Sequence, residues 1–201
     1  MNYNIIELIE QQKVLPILRG DDTQDMINKA KALFDGGIKI VEINSKSPDY
    51  YKIIYEVSKF MTVTAGGIIT SLQAQNALNC GAGAISSPIF QMNLVKLSKD
   101  KHVTFIACAS TANEAYNVWK SRVPFVKIYP VTPLGGTLYI KDMLRPMPFL
   151  KVIPLGNVKL EEVPSYIEAG AISVGVGRDF YEGFNYNEIT SRAKSIIERL
   201  K

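Results

Sequence analysis

The sequence predicts an α/β protein, a (β/α)8 TIM barrel with a short N-terminal helix, and three observations predict it. Short apolar runs alternate with amphipathic stretches along the 201 residues, the pattern of parallel strands joined by helices. Eight such runs can be marked, and eight is the number that closes a barrel. The first strand-to-helix turn, Leu18-Arg19-Gly20-Asp21, lacks the glycine-rich dinucleotide fingerprint expected of an open doubly wound sheet. The chain is short for a barrel, so its loops must be tight. A hydrophobic content of 47% builds one sizeable core, and a single domain over residues 1–201 is expected.

The elements follow in order. Residues 1–10 read as an amphipathic helix, in which Glu7 and Glu10 interrupt the apolar positions. No basic region precedes them, so the segment is not read as a signal peptide. Strands are expected at residues 14–18, 38–43, 61–65, 84–87, 103–107, 125–129, 152–155 and 172–176. Their starts recur at roughly 20 to 25 residues, one βα unit each time. Ser47-Pro48 offers a capping hydroxyl before a first-turn proline. Thr111-Ala-Asn-Glu114 fits a capping box, and Asn185 or Asn187 caps the last helix. Gly36-Gly37, Gly81 and Gly170 follow three helices, where a left-handed residue is wanted.

Composition excludes several classes. A formal charge of +4 and a pI near 8.9 are mild, and the lysines are scattered. Nucleic acid is therefore not an expected partner, and a small anionic substrate fits better. Two cysteines, Cys80 and Cys108, are too few for a disulfide scaffold and lack metal spacing. No apolar run approaches bilayer-spanning length, so no membrane partner is expected and a cytoplasmic soluble protein is.

Lys127 stands alone in the apolar run Pro124-Phe-Val-Lys-Ile-Tyr-Pro130. Strand alternation gives Phe125, Lys127 and Tyr129 one face, and Val126 and Ile128 the other. Removing an ammonium from water favours its neutral form, and a neutral amine in a dry cavity forms a Schiff base with a carbonyl. The other reading is a strand-end lysine whose stem packs and whose head reaches water.

In a barrel the reactive groups gather at the C-terminal ends of the strands. Those ends carry Arg19, Glu42 with Lys46 beyond it, Gly66-Gly67, Ser87-Pro88, Cys108-Ala109-Ser110, Lys127, Gly156-Asn157 and Gly175-Val-Gly177-Arg178. Glu42 is again a charge inside an apolar strand, and either moves protons for Lys127 or merely neutralises it. The glycine-bearing turns after the seventh and eighth strands suit an oxyanion such as phosphate, with Arg178 as a bidentate contact. Arg19 and Lys46 either hold a second anionic group or stand as exposed loop charges. His102 precedes the fifth strand, away from the chemistry, and no metal site is expected. Cys108 lines the pocket or is a small buried hydrophobe. Trp119 and Tyr50-Tyr51 read as packing residues.

With these pieces in place, the chain resembles the 2-keto-3-deoxy-6-phosphogluconate (KDPG) and 2-keto-3-deoxy-6-phosphogalactonate aldolase family, class I lyases on a (β/α)8 barrel. The resemblance is carried by Pro16-Ile-Leu-Arg-Gly20, Gly37-Ile-Lys-Ile-Val-Glu-Ile43 with Ser47-Pro48, and Thr64-Ala-Gly66. Ser86-Ser-Pro88 and Ala109-Ser-Thr-Ala-Asn-Glu114 follow, then Val126-Lys-Ile-Tyr-Pro130 with Gly135-Gly136, Pro154-Leu-Gly156 and Gly175-Val-Gly177. It implies Lys127 as the Schiff-base lysine and Glu42 as the proton-shuttling carboxylate. It also implies a substrate-binding set of Arg19, Lys46, Gly67, Pro88, Gly156, Asn157, Gly177 and Arg178. The implied reaction cleaves a phosphorylated 2-keto-3-deoxy sugar acid to pyruvate and glyceraldehyde 3-phosphate, in a homotrimer with no metal or organic cofactor.

This sequence departs from the family pattern around that set. Gly67 stands where threonine is usual, Lys46 where arginine or asparagine is, and Ala107-Cys108 where the fifth strand has Pro-Gly. The phosphate loop carries Gly156-Asn157 after Leu155, and Arg178 stands where serine is common. Two other readings therefore stay open: a pyruvate aldolase for a different, nonphosphorylated 2-keto acid, and a sugar-phosphate binding protein without turnover.

Overall fold

The computed structural model describes residues 4–201. The first helix, α1 (Ile5–Gln12), leads into β1 (Val14–Leu18), α2 (Thr23–Asp35), β2 (Ile40–Asn44), α3 (Tyr50–Ser58) and β3 (Thr62–Gly66). Then come α4 (Ser71–Asn79), β4 (Ala84–Ser87), α5 (Met92–Asp100), β5 (Thr104–Ala109), α6 (Ala112–Lys120) and β6 (Phe125–Ile128). Two helices, α7 (Val131–Leu134) and α8 (Gly136–Leu144), precede β7 (Val152–Pro154), followed by α9 (Val163–Glu168), β8 (Val174–Val176) and α10 (Tyr186–Arg199). The first three residues of the expected N-terminal helix lie outside the described residues.

All eight strands are parallel in the order β7-β6-β5-β4-β3-β2-β1-β8. A bridge between Leu155 and Gly175 joins the two ends, helped by the Ile172 N–H donating to the Val152 carbonyl at 3.0 Å. Closure needs a glycine there, because a Cβ on Gly175 would sit 2.7 Å from Leu155 Cβ. The fold is the (β/α)8 barrel that the eight apolar runs predict.

Strand alternation sorts the apolar residues into two sets. Val14, Leu18, Val41, Ile43, Val63, Ile85, Val126 and Val174 point outward into the layer shared with the helices. Leu15, Ile40, Ile106, Phe125 and Ile153 point inward, where Leu8 and Ile9 of α1 join them. The N-terminal helix is therefore a plug in the bottom of the barrel. Gln12 fastens it: its amide donates to the Val14 and Ile40 carbonyls at 2.6 and 3.0 Å, and its oxygen accepts from the Lys39 and Ile40 N–H groups at 2.5 and 3.1 Å.

Helix signals behave as their chemistry requires, with one exception. Thr111 and Asn185 both close capping boxes, with Glu114 and Glu188, so Asn185 rather than Asn187 is the cap. Gly37, Gly81 and Gly170 take positive φ, at 98°, 98° and 101°, whereas Gly36 stays right-handed. The exception is Ser47. The helix starts later, at Tyr50, after a left-handed Asp49, so Ser47 caps nothing, and its buried hydroxyl has no hydrogen-bond partner among the described residues. Trp119 packs as expected, but at the surface: it is 40% exposed, with its ring centroid 4.4 Å from that of Phe149. Residue 119 falls on the outer side of α6, which the barrel does not cover. Tyr50 is buried as expected. The strand bounds shift by a residue or two at β2, β3, β5, β6, β7 and β8, as hydrogen bonding rather than hydropathy sets the ends.

Candidate active site

Above the inward apolar layer, the next inward residue on each strand is two positions further along. On β2 that residue is Glu42, on β3 Thr64, on β4 Ser86, on β5 Cys108 and on β6 Lys127. Registry fixes several neighbours: Glu42 pairs with Thr64, and Lys127 lies between Cys108 and Ile153. Lys127 and Glu42, 85 residues apart in sequence, form a direct hydrogen-bonded ion pair. Only 1% of Lys127 and 4% of Glu42 is exposed. The snorkelling reading of Lys127 is thereby removed, since its amine stays inside.

Burying such a pair costs several kcal/mol per ion in desolvation, of the order that their attraction must recover. The site recovers part of it through a second bond: Lys127 Nζ donates to Ser86 Oγ at 2.8 Å. Glu42 reaches the amine because Gly66 has no side chain. A Cβ there would lie 2.6 Å from Glu42 Oε1 and 2.7 Å from its Cγ and Cδ. Thr64 Oγ1, fully buried on the neighbouring strand, has no hydrogen-bond partner among the described residues. Cys108 is partly buried, and burial pushes its thiol up to about 11, so it stays protonated and unreactive as a nucleophile at neutral pH. Desolvation also pushes the Tyr50 phenol up, with the Glu42 charge adding to it. Its hydroxyl donates to the Gly66 carbonyl at 3.1 Å and pins the turn beside Glu42.

The remaining expected residues occupy the rim above this layer. Arg19 and Lys46 are exposed and make no ion pair among the described residues. Arg19 has a fixed backbone: the Tyr181 hydroxyl accepts from its N–H and donates to its carbonyl, each at 3.0 Å. Gly67 takes φ +77°, and a side chain there would collide with Ser45, so the threonine of the family pattern has no room. Pro88 is exposed at the end of β4. Gly156 and Asn157 are consecutive left-handed residues, φ +110° and +57°, a turn that Thr132 steadies by donating to the Gly156 carbonyl at 2.7 Å. Gly177 faces open space, with nothing within 4 Å of where a Cβ would be. Arg178 is mostly exposed, 3.8 Å from Glu182. Beside it, burial alone would raise the Asp179 carboxyl, but hydrogen bonds from Lys159 and the Leu160 N–H, both at 2.8 Å, and the charge of Arg192 hold it below the usual carboxylate range. That carboxylate anchors the loop after β8.

The model of the family described as KDPG and KHG aldolase matches residues 5–192. The chain belongs to that family. It is accordingly an aldolase, a carbon–carbon lyase. It is 26% identical to the 2-dehydro-3-deoxy-phosphogluconate aldolase of Treponema pallidum, over 81% of this chain and 79% of that one. It is 24% identical to the 2-dehydro-3-deoxy-6-phosphogalactonate aldolase of Escherichia coli, over 89% of each chain. Among solved structures, a KDPG aldolase from Legionella pneumophila with pyruvate captured as a covalent carbinolamine superposes with a TM-score of 0.87, at 20% identity, over 98% of this chain and 99% of that one. That likeness shows the shared fold.

In this aldolase the structure brings Lys127 and Glu42 together and ranges the other eight expected residues around the strand ends. Ser86 and Thr64 were not among the expected site residues. The signal that finds them is alternation: with Ile85 in the outer layer, Ser86 shares the inward face with the site, and Ser87 does not. No helix among the described residues is long and apolar enough to cross a membrane. A concavity of about 610 Å³, lined by Lys99, His102 and Arg122 among apolar side chains, opens at the other end of the barrel. It shares no lining residue with the Lys127 site, and His102 is exposed there, on the face the sequence assigns it.

Proposed function

We propose that this aldolase works through a Schiff base on Lys127, with Glu42 moving the protons, and that it cleaves a 2-keto-3-deoxy-6-phospho sugar acid to pyruvate and glyceraldehyde 3-phosphate. The observation that carries the reading is the buried Lys127–Glu42 pair in the upper layer of the barrel. Passing the shared proton from Nζ to Glu42 gives a neutral amine beside a carboxylic acid, the two species that imine formation needs. The amine adds to C2 of the keto acid. Glu42 then protonates the carbinolamine hydroxyl, which leaves as water, and becomes a carboxylate. As a carboxylate it takes the proton of the C4 hydroxyl while the C3–C4 bond breaks and its electrons pass to the iminium. Returning that proton to C3 gives the pyruvate imine, which water hydrolyses.

Unpaired Arg19 and Lys46 at the rim suit the substrate carboxylate. The left-handed Gly156-Asn157 turn, Gly177 and Arg178 suit the phosphate, since exposed N–H groups and a guanidinium both favour an oxyanion. Gly67 and Pro88 flank the entrance. The named relatives act on gluconate- and galactonate-type acids, which supports a sugar-acid substrate of this class. A homotrimer is proposed with it. Ile69, Leu72, Ile89 and Met92 are between 47% and 66% exposed and lie together, as the Gln91 side chain donates to the Ile69 carbonyl at 3.0 Å. Such an apolar surface suits an interface.

Borohydride reduction in the presence of pyruvate tests the mechanism. The expected result is one stable adduct, mapped by peptide mass to Lys127. A folded protein that gives no adduct, or an adduct elsewhere, would overturn it. Substrate class is tested separately: dephosphorylated keto acid should raise KM far more in wild type than in Arg178→Ala.

A further inference from the structure

We propose that Ser86 is a further catalytic residue, whose hydroxyl relays the proton that must leave Lys127 Nζ as the amine adds to the substrate ketone. The inference rests on the Schiff-base reading above.

Nζ has two side-chain partners among the described residues, Glu42 and Ser86. Once Glu42 holds the proton that makes the amine neutral, Ser86 is the hydroxyl left to accept from Nζ, and it lies at 2.8 Å. Ser86 is 2% exposed, so bulk water does not compete for the place. It accepts from Nζ, while its own O–H hydrogen meets no acceptor among the described residues. A buried hydroxyl with a free hydrogen is costly unless something takes that hydrogen. Beside it, Thr64 is another buried hydroxyl, this one without any hydrogen-bond partner among the described residues, on the strand that lies between Glu42 and β4. The layer thus holds hydrogen-bonding capacity that the protein itself does not use.

The carbinolamine step uses it. When Nζ attacks C2, the C–N bond forms and the carbonyl electron pair moves to oxygen, leaving nitrogen with an excess proton and oxygen as an anion. Direct transfer between them passes through a strained four-membered arrangement. With Ser86 between them, the N–H proton moves to Oγ as the Oγ–H proton moves to the substrate oxygen. The N–H···O–H···O–C ring then has six members, and the serine ends with the proton it started with. Glu42 keeps its proton for the next event, departure of water.

The test is the single-turnover rate of imine formation with saturating pyruvate, quenched by borohydride, in wild type, Ser86→Ala and Ser86→Thr. Ser86→Ala should slow trapping on the order of a hundredfold, within the range of a lost acid–base group, with little change in pyruvate affinity. Ser86→Thr, which keeps a hydroxyl, should recover most of the rate. The wild-type rate in mixtures of light and heavy water should curve, because two protons move together. A Ser86→Ala enzyme within about threefold of wild type, small beside a lost acid–base group, overturns the relay. So does a linear wild-type isotope plot, a reading that does not depend on any variant folding. If wild type itself forms no Lys127 adduct, the Schiff-base reading falls and this one with it.

Discussion

The lower and upper layers of the barrel interior come from the same strands, two residues apart, and their chemistry is opposite. Ile40 is followed on its face by Glu42, Ile106 by Cys108, Phe125 by Lys127. The lower layer is dominated by an apolar cluster that includes Leu8 and Ile9 of α1. The upper layer holds a buried ion pair and two hydroxyls. The lower layer excludes water from beneath and gives the upper one its low dielectric, in which a charge is expensive unless it is paired. One layer contributes stability, and the other carries the charges and hydroxyls that the proposed chemistry uses.

Substitutions that exchange the character of the layers put this contrast at risk. The largest effect is expected from Lys127→Met, which removes the proposed nucleophile: aldol cleavage should fall by more than about a thousandfold, and borohydride should trap no pyruvate. Next is Phe125→Ala in the lower layer, fully buried in wild type. Urea titration should show a loss of about 3–5 kcal/mol, with the Lys127 adduct still forming under native conditions. Converting the upper layer to the lower one's chemistry, with Glu42→Leu and Lys127→Met together, should keep or raise stability by about 1–4 kcal/mol while abolishing activity. Large destabilisation of that double variant would show that the pair holds the fold together and would break the comparison. The smallest effect is expected at Gly66→Ala. The new methyl displaces Glu42, so kcat should drop on the order of tenfold, with a stability cost of about 1–3 kcal/mol for overpacking.

Legibility in the sequence divides along similar lines. Lys127 and Glu42 stand out because a charge interrupts an apolar run, and such an interruption is visible without coordinates. Ser86 and Thr64 do not stand out, because serine and threonine are common at strand ends, and only registry says which of Ser86 and Ser87 faces inward. Ser47 reads as a cap from its neighbour Pro48, but the chain inserts a left-handed Asp49 before the helix starts, and a local motif carries no information about that delay. Trp119 reads as a packing residue from its place in a helical stretch, and it does pack, against Phe149 and Tyr116, but on the outer surface of α6 rather than in the core.

By itself, the sequence determined the number and order of the strands, because hydrophobic periodicity acts over a few residues. It also determined that one lysine and one glutamate sit in apolar strands, because side-chain alternation is local. Tertiary structure decided how closely those two meet, that Gly66 clears the space between them, and that the Ser86 hydroxyl completes the amine's surroundings. Each of those depends on the closure and stagger of eight strands, which bring residues 85 apart into hydrogen-bonding contact, and closure is a property of the whole chain rather than of any segment of it.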